Sequence, residues 1–129
     1  MKDKKPTFAQ LTKEAKASKN SKKCGMFLLH NGVVREDAKA KVREGKKDTK
    51  IVIGMNFDYD NRKVNAAIKK AYKMKGIYYI KVWLNKGKLK VGDDIMLVLV
   101  GGDIRPNVID CLQSLVEEIK TKCVIEKEL

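Results

Sequence analysis

The chain of 129 residues is short of several things that function usually needs. Histidine occurs once, at His30. A Ser-His-Asp or Cys-His enzyme would rest all its acid–base work on that ring, and no orienting acid is in view. A half-buried strand histidine with one hydrogen bond is the better reading. Cysteine occurs three times, at Cys24, Cys111 and Cys123. An odd count with no close pair fits neither a disulfide framework nor a zinc knuckle, so no metal is expected, and no cofactor. No apolar run approaches the ~18 residues of a membrane span, and Met1–Pro6 leads into no signal-type apolar stretch. The expectation is a reduced, cytoplasmic protein with no membrane partner. Gly-x-Gly-x-x-Gly, Walker and Gly-x-Ser-x-Gly motifs are all missing.

What is present in excess is positive charge. Lys and Arg number 29 against 16 Asp and Glu, a net charge of +13. Such a balance calls for anionic partners: a nucleic acid, a phosphorylated small molecule or an acidic protein surface. Only four of the cations are arginine. That is poor in the bidentate forks of a nucleic-acid reader, and no DNA- or RNA-binding motif accompanies them, so nucleic acid is disfavoured.

The length suits one domain, residues 1–129, with enough chain for a core of its own. Phe8, Leu11 and Ala15 mark a thin amphipathic helix. Cys24–His30 reads as a strand buried on both faces, bent at Asn31-Gly32. Residues 36–49 carry dense charge of both signs and almost no large apolar group, and form the expected mobile loop. A strand follows at Lys50–Met55. Val64, Ile68, Ala71 and Tyr72 predict a helix over Asp60–Lys75, capped by Asp60 or Asp58 and ended by Gly76. Ile77–Leu84 has strand composition, and Asn85–Asp94 reads as a turn with a short excursion. Ile95–Val100 is a buried strand closed by Gly101-Gly102. Gly101-Gly102-Asp103 could hold an anion at a helix N-terminus, but a plain tight turn is favoured. Arg105-Pro106 opens the best helix, with Val108, Leu112, Leu115 and Ile119 on its apolar face. Trp83 and Tyr72, Tyr78 and Tyr79 read as core and sheet fillers. The order implies an α+β domain without internal repeats.

Any one of 25 lysines is by default a solvated surface group. Lys120 and Lys127 differ by position: if the last helix continues, seven residues make two turns and both ammonium groups project from one side. Two lysines beside a pocket can hold an anion, and one of them can serve as a base.

The chain resembles the large, catalytic subunit of molybdopterin synthase over most of its length. The stretch Gly25–Arg35 matches that family's pattern at Gly25, Gly32, Val34 and Arg35. Gly87, Leu89, Gly92 and Asp93 match its Gly-x-Leu-x-x-Gly-Asp turn, and Lys120 and Lys127 match its two C-terminal lysines. The resemblance implies an α/β hammerhead with an additional antiparallel sheet and a homodimer. It also implies a small ubiquitin-like sulfur carrier as partner, ending in a Gly-Gly thiocarboxylate. The implied reaction transfers sulfur to a cyclic pyranopterin monophosphate and yields the dithiolene of molybdopterin. Carried over by position, Lys120 would lie next to the thiocarboxylate as base or charge stabiliser, and Lys127 would support substrate binding or turnover. Arg35 would contact the pterin phosphate, and Arg105 would match the arginine of a His-Arg pair. Residues 120–129 would form a functional tail. Positive groups placed beside developing negative charge suit this chemistry.

The chain also departs from the family. Ile104 and Leu84-Asn85 stand where two His-Arg pairs place their histidines, and Val124-Ile125-Glu126 replaces an aromatic stretch. Glu126 puts negative charge where an anion should bind. A non-catalytic paralogue that binds an anionic ligand or a ubiquitin-like partner is therefore the alternative to the sulfurtransferase.

Overall fold

The computed structural model describes residues 4–38, 45 and 51–129. Most of the charged loop expected over 36–49 lies outside the described residues. The order of elements is α1 (Phe8–Ala17), a 3-10 turn (Ser21–Lys23), β1 (Met26–Val33), β2 (Gly54–Tyr59), α2 (Asn61–Tyr72), β3 (Ile77–Leu84), β4 (Gly87–Lys90), β5 (Asp94–Gly102), α3 (Arg105–Glu118), a π turn (Ile119–Cys123) and β6 (Val124–Glu128).

The longest apolar run becomes the middle of the first sheet. Its order is β1-β5-β3, antiparallel throughout. Residues Ile95 through Gly102 of β5 are all buried, because helices cover both faces of the strand. On one face Leu97 packs with Trp83 and with Leu11 of α1, and Leu29 flanks them. On the other, Met96, Val98 and Val100 join the main core with Val64 and Ala67 of α2 and Val108, Cys111 and Leu115 of α3. The alternation follows from strand geometry, since successive side chains point to opposite faces. Gly101 permits a close crossing: a Cβ there would meet the Phe27 ring at 2.6 Å.

The second sheet is smaller, with order β4-β2-β6. Met55 and Phe57 of β2 and Leu89 of β4 turn into the main core. Asn56, Asp58, Lys88 and Lys90 lie on the exposed face.

Local chemistry sets the element ends. Thr7 and Gln10 form a reciprocal capping box on α1, at 2.8 and 3.0 Å. The Asp60 carboxylate accepts from the backbone N–H groups of Arg62 and Lys63 at the start of α2. At the start of α3, Asp103 accepts from the N–H of Ile104 and the amide of Asn107, which hold its carboxyl below the usual range.

Several sequence expectations need correction. The second strand spans Gly54–Tyr59 instead of Lys50–Met55, because its hydrogen-bonding partners β4 and β6 lie opposite that stretch. Gly101 and Gly102 are paired strand residues opposite Phe27 and Met26 rather than a turn. The first strand is half-buried rather than fully buried, since it forms an edge of the sheet. The bend at Asn31-Gly32 is present, as a register shift between Gly32 and Val33. The excursion within Asn85–Asp94 is β4. Finally, the helix does not run on through Lys127: a π turn ends it and the chain enters β6.

Candidate functional site

The two sheets meet the C-terminal end of α3 around a cavity of about 200 Å³. Four segments build it. From β1, His30 and Gly32 share the face that carries Val98 and Met96 of β5, their cross-strand partners. Arg35 follows β1 just after the bulge. Lys120 comes from the π turn, and Glu126 and Glu128 come from β6. Met55, Ile95 and Met96 supply its apolar wall.

The π turn decides where Lys120 goes. Ile119 and Cys123 are buried in it and anchor the widened turn, while Lys120 is half-buried between them. Such one-turn bulges recur at functional sites because they re-aim a side chain that regular helix would point elsewhere. Strand alternation then sorts the tail. Val124, Glu126 and Glu128 are half-buried on one face of β6, and Ile125 and Lys127 are exposed on the other. The cavity thus combines two cations, two carboxylates and one imidazole.

His30 is tuned by this setting. Burial lowers its pKa, and the charge of Lys120 lowers it further. The ring stays neutral at physiological pH. Its Nε2 is buried and has no hydrogen-bond partner among the described residues. Gly32 is close-packed beside it: a Cβ at that position would lie 3.1 Å from Met96 Cγ and 3.6 Å from the His30 Nε2.

The four residues expected from the sequence fall into separate places. Lys120 and Arg35 share the cavity. Lys127 pairs opposite Asn56 and lines a different depression of about 410 Å³ with Asp58, Lys86 and Lys88. A shared side for Lys120 and Lys127 was conditional on helix, and strand geometry puts them on opposite faces. Arg105 is exposed at the far end of α3. Fifteen residues at 1.5 Å each set it about 22 Å along the axis from Lys120, so within one protomer it stands outside the cavity. Of the positions where histidines would stand, Leu84 is in the main core and Ile104 is exposed at the start of α3. His30 was read from the sequence as a half-buried strand histidine with one hydrogen bond and not as a site residue, and Glu128 was not singled out. Period-two alternation over Val124–Glu128 was the available signal for Glu126 and Glu128.

The cysteines are placed for packing. Cys111 and Cys123 are buried, and burial pushes the Cys111 thiol up to about 11. Among the described residues no cluster of His, Cys, Asp and Glu could hold a metal ion. No described helix is long and apolar enough to cross a membrane.

The fold is a mixed helix and antiparallel-sheet one, and it places Lys120 and Arg35 with Glu126 and Glu128 around one small cavity. Its family is established by sequence: the chain belongs to the MoaE protein family, whose model matches residues 3–122. That match includes Arg35, Arg105 and Lys120 and stops short of β6. The fold agrees with solved structures. A MoaE protein from Burkholderia ambifaria superposes with a TM-score of 0.74 at 16% identity, covering 97% of this chain and 78% of that one. A complex of subunits 1 and 2 of the molybdopterin-converting factor from Helicobacter pylori gives 0.67 at 21% identity, covering 96% and 79%. Molybdopterin synthase from Staphylococcus aureus gives 0.66 at 18% identity, covering 82% and 74%. No curated protein matches the chain. Family membership supports a role in molybdenum cofactor biosynthesis.

Proposed function

We propose that this protein is the large subunit of a molybdopterin synthase. It moves sulfur from the C-terminal thiocarboxylate of a small ubiquitin-like carrier to a cyclic pyranopterin monophosphate. The observation that carries the reading is the placement of Lys120 with Arg35 in one small, partly apolar cavity. Both reactants are anions, and charge-assisted hydrogen bonds to an ammonium and a guanidinium hold such groups. The Lys120 ammonium stabilises negative charge that develops as sulfur leaves the carrier, or in its neutral form takes up a proton there. Arg35, exposed at the rim, engages the pterin phosphate. The Helicobacter pylori complex of subunits 1 and 2 supports a carrier as partner. A homodimer, with two carriers, is the assembly we assign. Lys127 and Arg105 act outside the Lys120 cavity, supporting substrate binding or turnover.

The non-catalytic alternative draws on particular residues. Leu84 and Ile104 cannot transfer protons, and Glu126 and Glu128 bring negative charge into the cavity. Reconstitution decides between the two. Purified protein, thiocarboxylated carrier and cyclic pyranopterin monophosphate are mixed, and product is read as the oxidised fluorescent pterin. Turnover that falls at least ~100-fold in Lys120→Ala, as loss of one electrostatic stabiliser does, supports the synthase. Carrier binding without turnover in the unmodified protein establishes the paralogue.

A further inference from the structure

The π turn borders a second concavity, which shares no lining residue with the Lys120 cavity. It is a groove of about 600 Å³ between α2 and the end of α3. We propose that this groove binds a small organic phosphate monoester, a dianionic phosphate on a flat, nucleotide-sized body. The site is separate from the sulfur-transfer reading and does not depend on it.

Charge is the first argument. Lys63 and Lys70 are seven residues apart on α2, two turns, and project from one side of the helix. Lys122 reaches the same groove from the π turn. The charges of Lys63 and Lys122 both act on the buried Cys123 thiol, so they converge on the groove from two elements. Asp60 acts on that thiol as well, but its carboxylate is held by backbone N–H groups at the start of α2. Within the groove a single carboxylate, Glu118, faces the three ammonium groups, which leaves a net charge of +2. A phosphate monoester carries about −1.5 to −2 at neutral pH, and lysine binds phosphate as a point charge.

The cations are also free to turn. Glu118 lies 2.9 Å from Lys70 Nζ and 3.9 Å from Lys122 Nζ. The lysine side chains are 72% and 69% exposed against 20% for Glu118, so the carboxylate is the anchored partner. Lys122, at the longer distance, gives up little on meeting a ligand. Lys63 is in no ion pair among the described residues.

The floor is the second argument. Ala66 and Ala67 lie between the two lysines of α2 and leave the groove wide and largely apolar. Cys123 adds to this surface, and burial first, then the Glu118 charge, holds its thiol neutral. The Thr121 hydroxyl donates to the Glu117 carbonyl at 2.8 Å, so its oxygen can accept from a ligand N–H or O–H. The volume falls in the range of small-molecule sites, roughly 300–1,000 Å³. Inorganic phosphate alone would leave the apolar floor uncovered, which argues for an organic body.

The probe is guanosine 5′-monophosphate, with guanosine and inorganic phosphate as its two halves and an Asp/Glu-rich peptide as a rival anion. Calorimetry measures binding, and backbone amide shifts locate it. The monophosphate should bind with Kd below about 1 mM, and each half at least about tenfold more weakly. Shifts should gather at Ala66, Ala67 and Thr121 to Cys123. Lys63→Ala and Lys122→Ala should each weaken binding about threefold, the worth of one exposed ion pair, and together about tenfold. Glu118→Gln should tighten it by removing the opposing carboxylate. Ala66→Phe, at an exposed position, should fill the groove and abolish binding.

No binding of the monophosphate at about 10 mM would overturn the proposal, as would unchanged affinity in the double lysine variant. Shifts centred on Gly32, Met96 and Lys120 would assign the ligand to the other cavity and overturn it too. Tighter binding of either half or of the acidic peptide in this groove would do the same. Sulfur transfer is read separately by reconstitution, so failure of one reading leaves the other standing.

Discussion

The two sheets obey the same backbone geometry and spend their side chains differently. In β1-β5-β3, the central strand is buried from Ile95 to Gly102, and helices cover both of its faces. In β4-β2-β6, one face reaches the core through Met55, Phe57 and Leu89, while the other carries lysines toward solvent. The outer strand β6 alternates Val124, Glu126 and Glu128 with Ile125 and Lys127. The first sheet therefore holds most of the apolar burial, and the second positions charge. The candidate site lies where they meet, and on the edge strand β1 it holds the buried His30 nitrogen, which has no partner among the described residues. A sheet whose central strand is covered on both faces positions that edge, and the more polar sheet supplies Glu126 and Glu128 to the cavity.

The largest test of this division is Leu97→Ala. Leu97 is 0% exposed between Trp83 and Leu11. Removing its side chain should lower the unfolding free energy by about 2–5 kcal/mol in urea titration, without altering carrier affinity of the folded fraction. A loss below about 1 kcal/mol would mean that the first sheet is not the main source of stability.

An intermediate effect is expected at the boundary. His30→Leu removes a buried nitrogen that has no partner among the described residues, and should raise stability at neutral pH by about 1 kcal/mol or more. It should also flatten the pH dependence. The folded pKa of His30 is below the ordinary 6.5, so between those two values the unfolded chain binds more protons. The stability associated with the neutral ring is fully present above about 6.5 and is lost as pH falls through the folded value. Thermal unfolding between pH 7.5 and 5 should show that slope in the unmodified protein and a smaller one in His30→Leu. Equal slopes would remove His30 as its source.

The smallest effect on stability belongs to the second sheet. Lys127→Ala, on the exposed face of β6, should change unfolding free energy by less than about 0.5 kcal/mol while lowering turnover several-fold in the reconstituted reaction. A large loss of stability would blur the distinction between the sheets. Unchanged turnover would remove Lys127 from the function.

Much of the fold is legible along the chain. Ile77–Leu84 is a strand over the expected residues, Asp60 caps α2, and Pro106 stands in the first turn of α3. These elements carry their own signals: β-branched and aromatic runs, a capping carboxylate, a proline tolerated where its missing N–H is not needed. The site was legible in part. Lys120 and Arg35 were singled out through family resemblance, and they share the cavity. Lys127 and Arg105 were singled out in the same way and stand elsewhere in the protomer. Nothing local distinguishes a lysine aimed inward from one in solvent.

The sequence by itself determined the apolar runs that become β3, β5 and α3, the caps that bound α1 and α2, the positive charge and the family. Tertiary structure decided the course of the last ten residues. Val124–Glu128 is short and polar, and it becomes a strand because β2, more than sixty residues earlier in the chain, offers it hydrogen bonds. A helix would have carried Lys120 and Lys127 along one side, whereas a strand repeats every two residues and sends Lys127 away from Glu126 and Glu128. The orphaned His30 nitrogen is likewise a property of the assembled core. Gly32 and Met96, brought together from β1 and β5, are packed beside it, and Lys120 from the end of α3 lines the same cavity.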